Sequence, residues 1–228
     1  CACAVEATVP TRWPHGSYSC KMRLVRRLHQ LDRACLFQLT KPGGTDLYDF
    51  QLAASGWLQH RFSAGHLPPL GYSLLEMAAG CGKTRALAHF LSASAIPGRW
   101  AIFVTQGGLV RQTVHELSKC CAGLCKAETT REFLKVMAEH NGGVVVVNAA
   151  ISGAWLSRLR GAWCVVLDEA HRASNSFITR VAQALGEDGA RRIVFVTGTP
   201  AAGRGLVTLA ARAADHQHFV FLKTESAG

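Results

Sequence analysis

The chain has 228 residues, which fits one large domain or one domain with an extension. Apolar residues make up 49% and charged residues 18%, so the composition excludes wholesale disorder. No uninterrupted apolar run reaches the roughly 18 residues of a membrane-spanning helix, so we expect no membrane partner. The formal net charge of +10 favours a polyanionic partner such as nucleic acid, although an ordinary basic protein would carry it too.

Nine cysteines are scattered along the chain without a CxxC pair, which argues against a disulfide scaffold. Cys120, Cys121 and Cys125 could bind a metal with a nearby histidine, but adjacent cysteines rarely point at one ion. We interpret the cysteines as reduced thiols of an intracellular protein, nuclear or cytoplasmic, since no signal peptide is visible. Because the first residue is Cys1 and not methionine, we expect a fragment, a processed product or a domain of a longer chain.

Residues 1–46 are predicted to form an N-terminal extension that is partly helical. Residues 1–20 show no periodicity, whereas Lys21–Phe37 has apolar residues at helical spacing with arginines between them. The basic side of this amphipathic helix would be either a solvated face or a nucleic-acid contact. A break at Lys41–Gly44 separates it from a second predicted helix, Leu47–Phe62.

The remaining pattern predicts an α/β domain with a doubly wound, mostly parallel sheet, which we assign to residues 47–228. Its apolar runs are nearly unbroken, as in strands that are covered on both faces, and helical patterns separate them. The predicted strands are Ser73–Met77, Trp100–Val104, Gly143–Val147, Cys164–Leu167 and Ile193–Val196. The predicted helices between them are Thr84–Ser92, Leu109–Lys119, Arg131–His140 and Phe177–Leu185.

The segment Met77–Thr84 (MAAGCGKT) follows a predicted strand and opens a predicted helix, which is the context of a phosphate-binding loop. Gly80 and Gly82 would let backbone N–H groups approach phosphate oxygens, and the helix N-terminus adds partial positive charge. Lys83 can reach the β- and γ-phosphates, and Thr84 can place its hydroxyl on Mg²⁺. The alternative, a glycine-rich turn without a ligand, leaves the lysine at the mouth of the helix unexplained.

A second motif, Cys164–His171 (CVVLDEAH), places two carboxylates at the end of an apolar strand. Because parallel strands end at one edge of a sheet, Asp168 and Glu169 can face the phosphate loop. We expect Asp168 to hold Mg²⁺, directly or through water, and Glu169 to orient and deprotonate an attacking water. The alternatives are that Asp168 caps a helix and that His171 packs, whereas we favour His171 as a link to the next strand.

These motifs together resemble the ATP-binding lobe of superfamily 2 helicases and translocases. Gly80–Thr84 is similar to motif I, Asp168–His171 to the DEAH form of motif II, and Thr197–Pro200 (TGTP) to motif III. The combination is most similar to Swi/Snf-type translocases, the type III restriction-enzyme helicase group and helicases of large DNA viruses. The resemblance covers residues 47–200 and implies a RecA-like fold that uses ATP and Mg²⁺.

Further roles follow from the resemblance residue by residue. Gln51 stands where the family's glutamine recognises adenine, and two strand ends fall at motifs Ia and Ib, which contact the nucleic-acid backbone. The implied nucleotide-binding residues are Gln51, Gly80, Cys81, Gly82, Lys83 and Thr84. The implied metal-binding residues are Thr84 and Asp168. The implied catalytic residues are Lys83, Asp168 and Glu169. The implied coupling residues are His171, Thr197, Gly198 and Thr199, and the implied nucleic-acid contacts are Thr105, Gln106 and Asn148.

We therefore expect the ATP-binding lobe of a nucleic-acid-dependent ATPase, a helicase or translocase, with DNA favoured over RNA. The family binds ATP between two RecA-like lobes, and the 28 residues after Pro200 are too few for another lobe. We expect the second lobe in cis or in trans, and slow hydrolysis by this chain alone. The alternative is a regulatory module that binds nucleotide and nucleic acid without motor activity. A GTPase is disfavoured because the sequence has no guanine-reading Asn-Lys-x-Asp. A kinase is disfavoured because it would not need the Thr197–Thr199 turn.

Overall fold

The computed structural model describes residues 3–4, 46–62, 73–77, 80–187, 189–198 and 217–223. The strands are β1 (Cys3–Ala4), β2 (Ser73–Met77), β3 (Trp100–Thr105), β4 (Leu124–Ala127), β5 (Gly143–Asn148), β6 (Cys164–Leu167), β7 (Ile193–Thr197) and β8 (Gln217–Lys223). The helices are α1 (Asp49–Arg61), α2 (Lys83–Ala93), α3 (Val110–Leu117), α4 (Thr130–Glu139), α5 (Ser152–Leu156) and α6 (Asn175–Leu185). No helix within these ranges has both the length and the apolar character that a bilayer crossing requires.

The strands form one sheet in the order β1-β8-β2-β7-β6-β3-β5-β4. Every neighbouring pair from β8 to β4 is parallel, and only the short β1 pairs antiparallel with β8. Most strands that are adjacent in the sheet are not consecutive in the chain. Helices lie between most consecutive strands, as crossovers between parallel strands require. The mostly parallel α/β sheet predicted from the unbroken apolar runs is confirmed.

Two apolar layers cover the sheet, one on each face. Helices α1, α2 and α3 bury side chains such as Leu58 and Phe90 against one face. Helices α4, α5 and α6 bury Phe133, Trp155 and Ile178 against the other. Successive strand residues alternate between the two layers, so both faces of each central strand need apolar side chains. This explains why the sequence shows unbroken apolar runs instead of a polar–apolar alternation.

The sequence-based boundaries are close to the observed ones, but several elements were not predicted. The strands β3, β5 and β7 each extend one residue further than expected, to Thr105, Asn148 and Thr197. The elements missing from the prediction are β1, β4, α5 and β8. The helix expected at Lys21–Phe37 lies outside the described residues, as does most of the 1–46 extension.

The parallel arrangement brings the carboxyl ends of five strands to one edge of the sheet. At this edge β2 leads into the phosphate loop, β6 leads into the acidic motif, and β3, β5 and β7 end at polar residues. Ligands of open α/β sheets bind outside the carboxyl ends of the strands. The candidate site is therefore located by the topology before any side chain is considered.

Candidate nucleotide-binding site

The phosphate loop joins β2 to the N-terminus of α2. Gly80 and Gly82 have φ values of 76° and 73°, in the left-handed region that favours glycine. A Cβ on Gly82 would collide with the side-chain amide of Gln51, so any larger residue there would have to displace Gln51 from the loop. The loop is thus shaped by glycine at both positions, as a cradle of backbone N–H groups for phosphate requires. Ala78 and Ala79 of the same loop lie outside the described residues.

Lys83 is the first residue of α2, and its side chain turns back over the loop. Its Nζ donates a hydrogen bond to the carbonyl oxygen of Met77 at 3.2 Å. The partner is a neutral acceptor at the start of the loop, so the ammonium charge is not balanced by this contact. A phosphate oxygen that entered the loop would be a stronger partner for Lys83 than a carbonyl.

Gln51 ties helix α1 to the phosphate loop. Its side chain is 2% exposed, and its Nε2 donates to the carbonyl oxygen of Cys81 at 2.9 Å. Its Oε1 accepts from the backbone N–H of Tyr48 at 3.1 Å, which gives the N-cap residue of α1 a hydrogen-bond partner. The structure therefore gives Gln51 a bracing contact that the sequence did not indicate, and its expected contact with adenine stays a prediction.

Asp168 follows β6 and is fixed to the neighbouring strand β3 at two points. Its backbone N–H donates to the carbonyl oxygen of Val104 at 3.0 Å, and its Oδ2 accepts from the Thr105 hydroxyl at 3.2 Å. Burial raises the pKa of Asp168, and the charge of Glu169 raises it further. The backbone N–H of Glu169, the Thr105 hydroxyl and the charge of Lys83 counteract part of this rise in pKa.

The placement of Thr105 corrects the sequence-based interpretation of the β3 end. Thr105 was expected to contact the nucleic-acid backbone, but its side chain is only 1% exposed and is directed at Asp168. A residue that is this deeply buried has no surface to offer a nucleic acid. The error arose because a strand end was treated as one surface, whereas the last strand residue points inward and the next residue points outward.

Glu169 has an unusual backbone conformation. It is the non-glycine residue with positive φ in the described ranges, at φ 49° and ψ 44°. Such a conformation is uncommon for a non-glycine residue and persists where the surrounding structure enforces it, often at functional sites. It begins a tight turn, Ala170–Arg172, in which the Arg172 N–H donates to the Glu169 carbonyl oxygen at 2.9 Å.

His171 lies between the acidic motif and strand β7. Its Nδ1 is 3.1 Å from the Thr197 hydroxyl and 3.3 Å from Oε2 of Glu169. Because a carboxylate only accepts hydrogen bonds, a bond to Glu169 requires the proton on Nδ1. The structure thus brings together Glu169, His171 and Thr197, as expected for a link to the next strand. Gly198 follows directly and is half-buried, and Thr199 lies outside the described residues.

The outer edge of the site, which we define as Gln106, Asn148 and Arg172, is partly solvent-exposed. Gln106 Oε1 accepts from Arg172 Nη1 at 3.0 Å, and Asn148 Oδ1 accepts from the Ala150 N–H at 3.0 Å. Gly107 packs so closely on Asn148 that a Cβ there would lie 2.8 Å from Asn148 Nδ2. The predicted contacts Gln106 and Asn148 are therefore neighbours, and sequence reasoning missed Arg172, although it directly follows the acidic motif.

A cleft of about 320 Å³ lies between the phosphate loop and helix α3, within the range of small-ligand sites. We call it the nucleotide cleft; its lining residues are Gly80, Gly82, Lys83, Thr84, Arg85, Leu109, Gln112, Thr113, Glu116, Asp168 and Glu169. The contributions of Arg85 and of α3 were not predicted, because nothing in the sequence shows that α3 faces the loop.

The residues present fit a magnesium–nucleotide complex. The left-handed glycines and the lysine suit the phosphates, while Thr84 and Asp168 offer the hydroxyl and carboxylate oxygens that Mg²⁺ prefers. Within the described residues no group of three His, Cys, Asp or Glu side chains could hold a metal ion alone. Mg²⁺ sites that use one or two protein groups together with substrate phosphates have this composition.

Comparison with solved structures shows the fold class. The T4 bacteriophage UvsW helicase superposes with a TM-score of 0.56 at 13% identity, covering 81% of this chain and 64% of that chain. A DEAD box protein from Methanococcus jannaschii gives 0.55 at 20% identity, covering 77% and 54%. The Sulfolobus solfataricus SWI2/SNF2 ATPase core, solved with dsDNA, gives 0.51 at 20% identity, covering 76% and 37%. The chain thus spans less than two thirds of each, and these likenesses show the fold alone.

The fold and the motifs together define a RecA-like lobe of the superfamily 2 helicase class. Within this class the sequence profile of the family described as type III restriction enzyme, res subunit, matches residues 51–202. Because the match spans more than half of the chain, the chain belongs to that family. None of the curated proteins is significantly similar to it in sequence.

Proposed function

We propose that the chain is the ATP-binding lobe of a nucleic-acid-dependent ATPase, which hydrolyses ATP with Mg²⁺ slowly by itself and at its full rate when it is paired with a second RecA-like lobe. The observation that carries the proposal is the convergence of Lys83, Thr84, Asp168 and Glu169 in one cleft at the carboxyl edge of the sheet. These residues come from two segments far apart in the chain. A lysine, a hydroxyl and two carboxylates around a glycine loop are the groups that phosphoryl transfer needs.

In this proposal each side chain has a distinct task. Lys83 exchanges the Met77 carbonyl for phosphate oxygens, and Thr84 and Asp168 hold Mg²⁺. The metal ion, when bound, neutralises charge that builds up on the phosphates. Glu169 orients a water molecule and accepts its proton at a carboxylate oxygen, which is the role of a general base.

The turn that contains Glu169 also connects the nucleotide cleft to other parts of the lobe. His171 Nδ1 lies within reach of both Glu169 and Thr197, so a shift of β7 would change the support of the base. We propose a coupling role for His171 and Thr197 on the basis of these contacts. We extend the proposal to Gly198 and Thr199 because they follow Thr197 in the TGTP motif.

We further propose that the outer edge binds the backbone of DNA. Gln106, Asn148 and Arg172 offer amide and guanidinium donors beside the cleft, and the chain carries a net charge of +10. Amides and guanidinium groups are typical donors to phosphate oxygens. The preference for DNA over RNA rests on the Sulfolobus ATPase core, whose structure contains dsDNA.

Binding of a fluorescent ATP analogue tests the nucleotide site. Lys83→Ala removes the charge that faces the β- and γ-phosphates, so affinity should fall at least about tenfold, which corresponds to ~1.4 kcal/mol. Lys135→Ala, which removes an exposed lysine on α4 outside the cleft lining, is the matched control and should bind like the wild type. Equal affinity of folded Lys83→Ala and wild-type chains would contradict the assignment of the phosphate loop.

The alternative function is a regulatory module that binds nucleotide and nucleic acid without turnover. Both functions predict nucleotide binding that depends on Lys83. They differ in hydrolysis, since a module without motor activity has no use for the proton-accepting group of Glu169. A single-turnover assay that can detect slow ATP hydrolysis therefore distinguishes the ATPase lobe from the regulatory module.

A further inference from the structure

Thr105 and Asp168 are adjacent because of the sheet register. Strands β3 and β6 are parallel neighbours in which Val104 pairs with Leu167, so the residues that follow, Thr105 and Asp168, emerge side by side. The Asp168 N–H continues the ladder by donating to the Val104 carbonyl oxygen at 3.0 Å. The Thr105 hydroxyl adds a second attachment at Asp168 Oδ2, 3.2 Å away. Both the main chain and the side chain of Asp168 are thus fixed to β3.

The hydroxyl of Thr105 has a specific target. Its side chain is 1% exposed, so it is out of reach of solvent and of a nucleic acid. A hydroxyl that donates to a carboxylate restricts the rotation of that carboxylate. Carboxylates that bind metal ions are commonly held by an outer hydrogen-bond partner of this kind.

We infer that Thr105 is a positioning residue for Asp168, whose hydroxyl holds the carboxylate in the orientation that binds the magnesium of a Mg–ATP complex. The inference rests on the proposed function, because it assigns a supporting group to the proposed metal ligand. It also replaces the role first expected for Thr105, a contact with nucleic acid. The next residue, Gln106, belongs to the outer edge, where it accepts a hydrogen bond from Arg172. The end of β3 therefore contacts Asp168 through Thr105 and the outer edge through Gln106.

The test is the Mg²⁺ dependence of nucleotide binding by the whole 228-residue chain. A fluorescent ATP analogue is titrated in EDTA, and Mg²⁺ is then added stepwise to find the concentration that gives half of the affinity gain. Thr105→Val keeps the shape but removes the hydroxyl, and Thr105→Ser keeps the hydroxyl. Loss of an outer-shell partner typically weakens a metal site about 10–100-fold. We expect a shift of about tenfold for Thr105→Val and little change for Thr105→Ser.

The binding in EDTA separates positioning from a general structural role. All three chains should bind the analogue equally without metal, because Thr105 does not contact the phosphate loop. If Thr105→Val requires no more Mg²⁺ than the wild type, or loses affinity equally with and without Mg²⁺, the inference is wrong and the nucleotide site still stands. If the wild type does not bind the analogue at all, the proposed function fails first. Should Thr105→Val not fold, Thr105→Ala serves as the second variant without a hydroxyl, with the same expected shift.

Discussion

The nucleotide cleft and the outer edge lie at the same edge of the sheet but differ in how their side chains are held. Behind the cleft lining, three buried side chains each hold one part of the site: Gln51 bonds to the phosphate loop, Thr105 to Asp168, and Thr197 to His171. At the outer edge, Gln106 and Asn148 are half-buried and Arg172 is exposed. Fixed, desolvated groups suit chemistry that depends on small displacements, whereas exposed donors can follow a flexible polyanion. The difference indicates a preorganised reaction site beside an adaptable binding surface.

One short segment joins the two regions. The turn Ala170–Arg172 begins at the strained Glu169, presents His171 to Thr197, and extends Arg172 to the outer edge. A contact made at Arg172 therefore acts on a turn that directly follows Glu169, the proposed base. Strained conformations of this kind cluster at sites that change state during function. The two regions differ in exposure but share this segment of the chain.

The largest effect is expected from Glu169→Gln, which tests whether the cleft performs the chemistry. The amide has nearly the same shape but cannot accept a proton, so single-turnover ATP hydrolysis should fall about 10²–10⁴-fold. Nucleotide and Mg²⁺ affinities should change little, because Glu169 is not assigned to the phosphates. Hydrolysis at the wild-type rate would show that Glu169 is not the base.

An intermediate effect is expected from Arg172→Ala, which tests the outer edge. The loss of one phosphate contact should weaken DNA binding several-fold and reduce the slope of log affinity against log salt by about one. Affinity for the ATP analogue should be unchanged, which distinguishes the edge from the cleft. Arg180→Ala, which removes an exposed arginine on α6, is the matched control. An effect of equal size in both variants would mean that only overall charge matters.

The sequence predicted the cleft better than the edge, for physical reasons. Lys83, Asp168 and Glu169 follow unbroken apolar strands, and parallel strands bring their carboxyl ends together whatever their order. The bond from Thr105 to Asp168 depends on β3 lying beside β6 in a particular register, which no local pattern reveals. The contact between Arg172 and Gln106 joins two segments of unrelated sequence and was missed for the same reason.

The same reasoning applies to the fold. Strands that are buried on both faces, such as β5 and β6, carry an apolar signal that sequence patterns detect. Strand β4 lies at the edge of the sheet and is half-exposed, so Leu124–Ala127 has neither an unbroken apolar run nor a clean alternation. Helix α5 has five residues, too few for its periodicity to show.

The smallest effect concerns stability and follows from the burial of Asp168. Burial and the charge of Glu169 raise the pKa of Asp168, so the folded chain holds this proton more tightly than the unfolded chain does. Stability is therefore lost as the pH rises from the unfolded pKa through the folded one. Asp168→Asn should be more resistant to urea than the wild type at neutral pH, and the gap should narrow as the pH falls towards about 4.

Glu116 provides a control of opposite sign for this stability measurement. Its hydrogen bond to Lys119 lowers the pKa of Glu116, so its charge stabilises the fold at neutral pH. Glu116→Gln should therefore leave the chain equally stable or slightly less stable, since the pair is exposed. A destabilised Asp168→Asn at neutral pH would contradict the view that burial works against this carboxylate.

The central claim is that the nucleotide cleft hydrolyses ATP, and single-turnover hydrolysis of labelled ATP tests it most directly. The 228-residue chain is held in excess over ATP, with Mg²⁺ or with EDTA, so that one slow turnover is detected without a second lobe. We predict slow phosphate release that requires Mg²⁺ and is absent from Lys83→Ala and Glu169→Gln. The contradicting result is that the wild type binds ATP, that Lys83→Ala weakens this binding, and that the bound ATP is never cleaved in the presence of Mg²⁺. That result would favour a regulatory module.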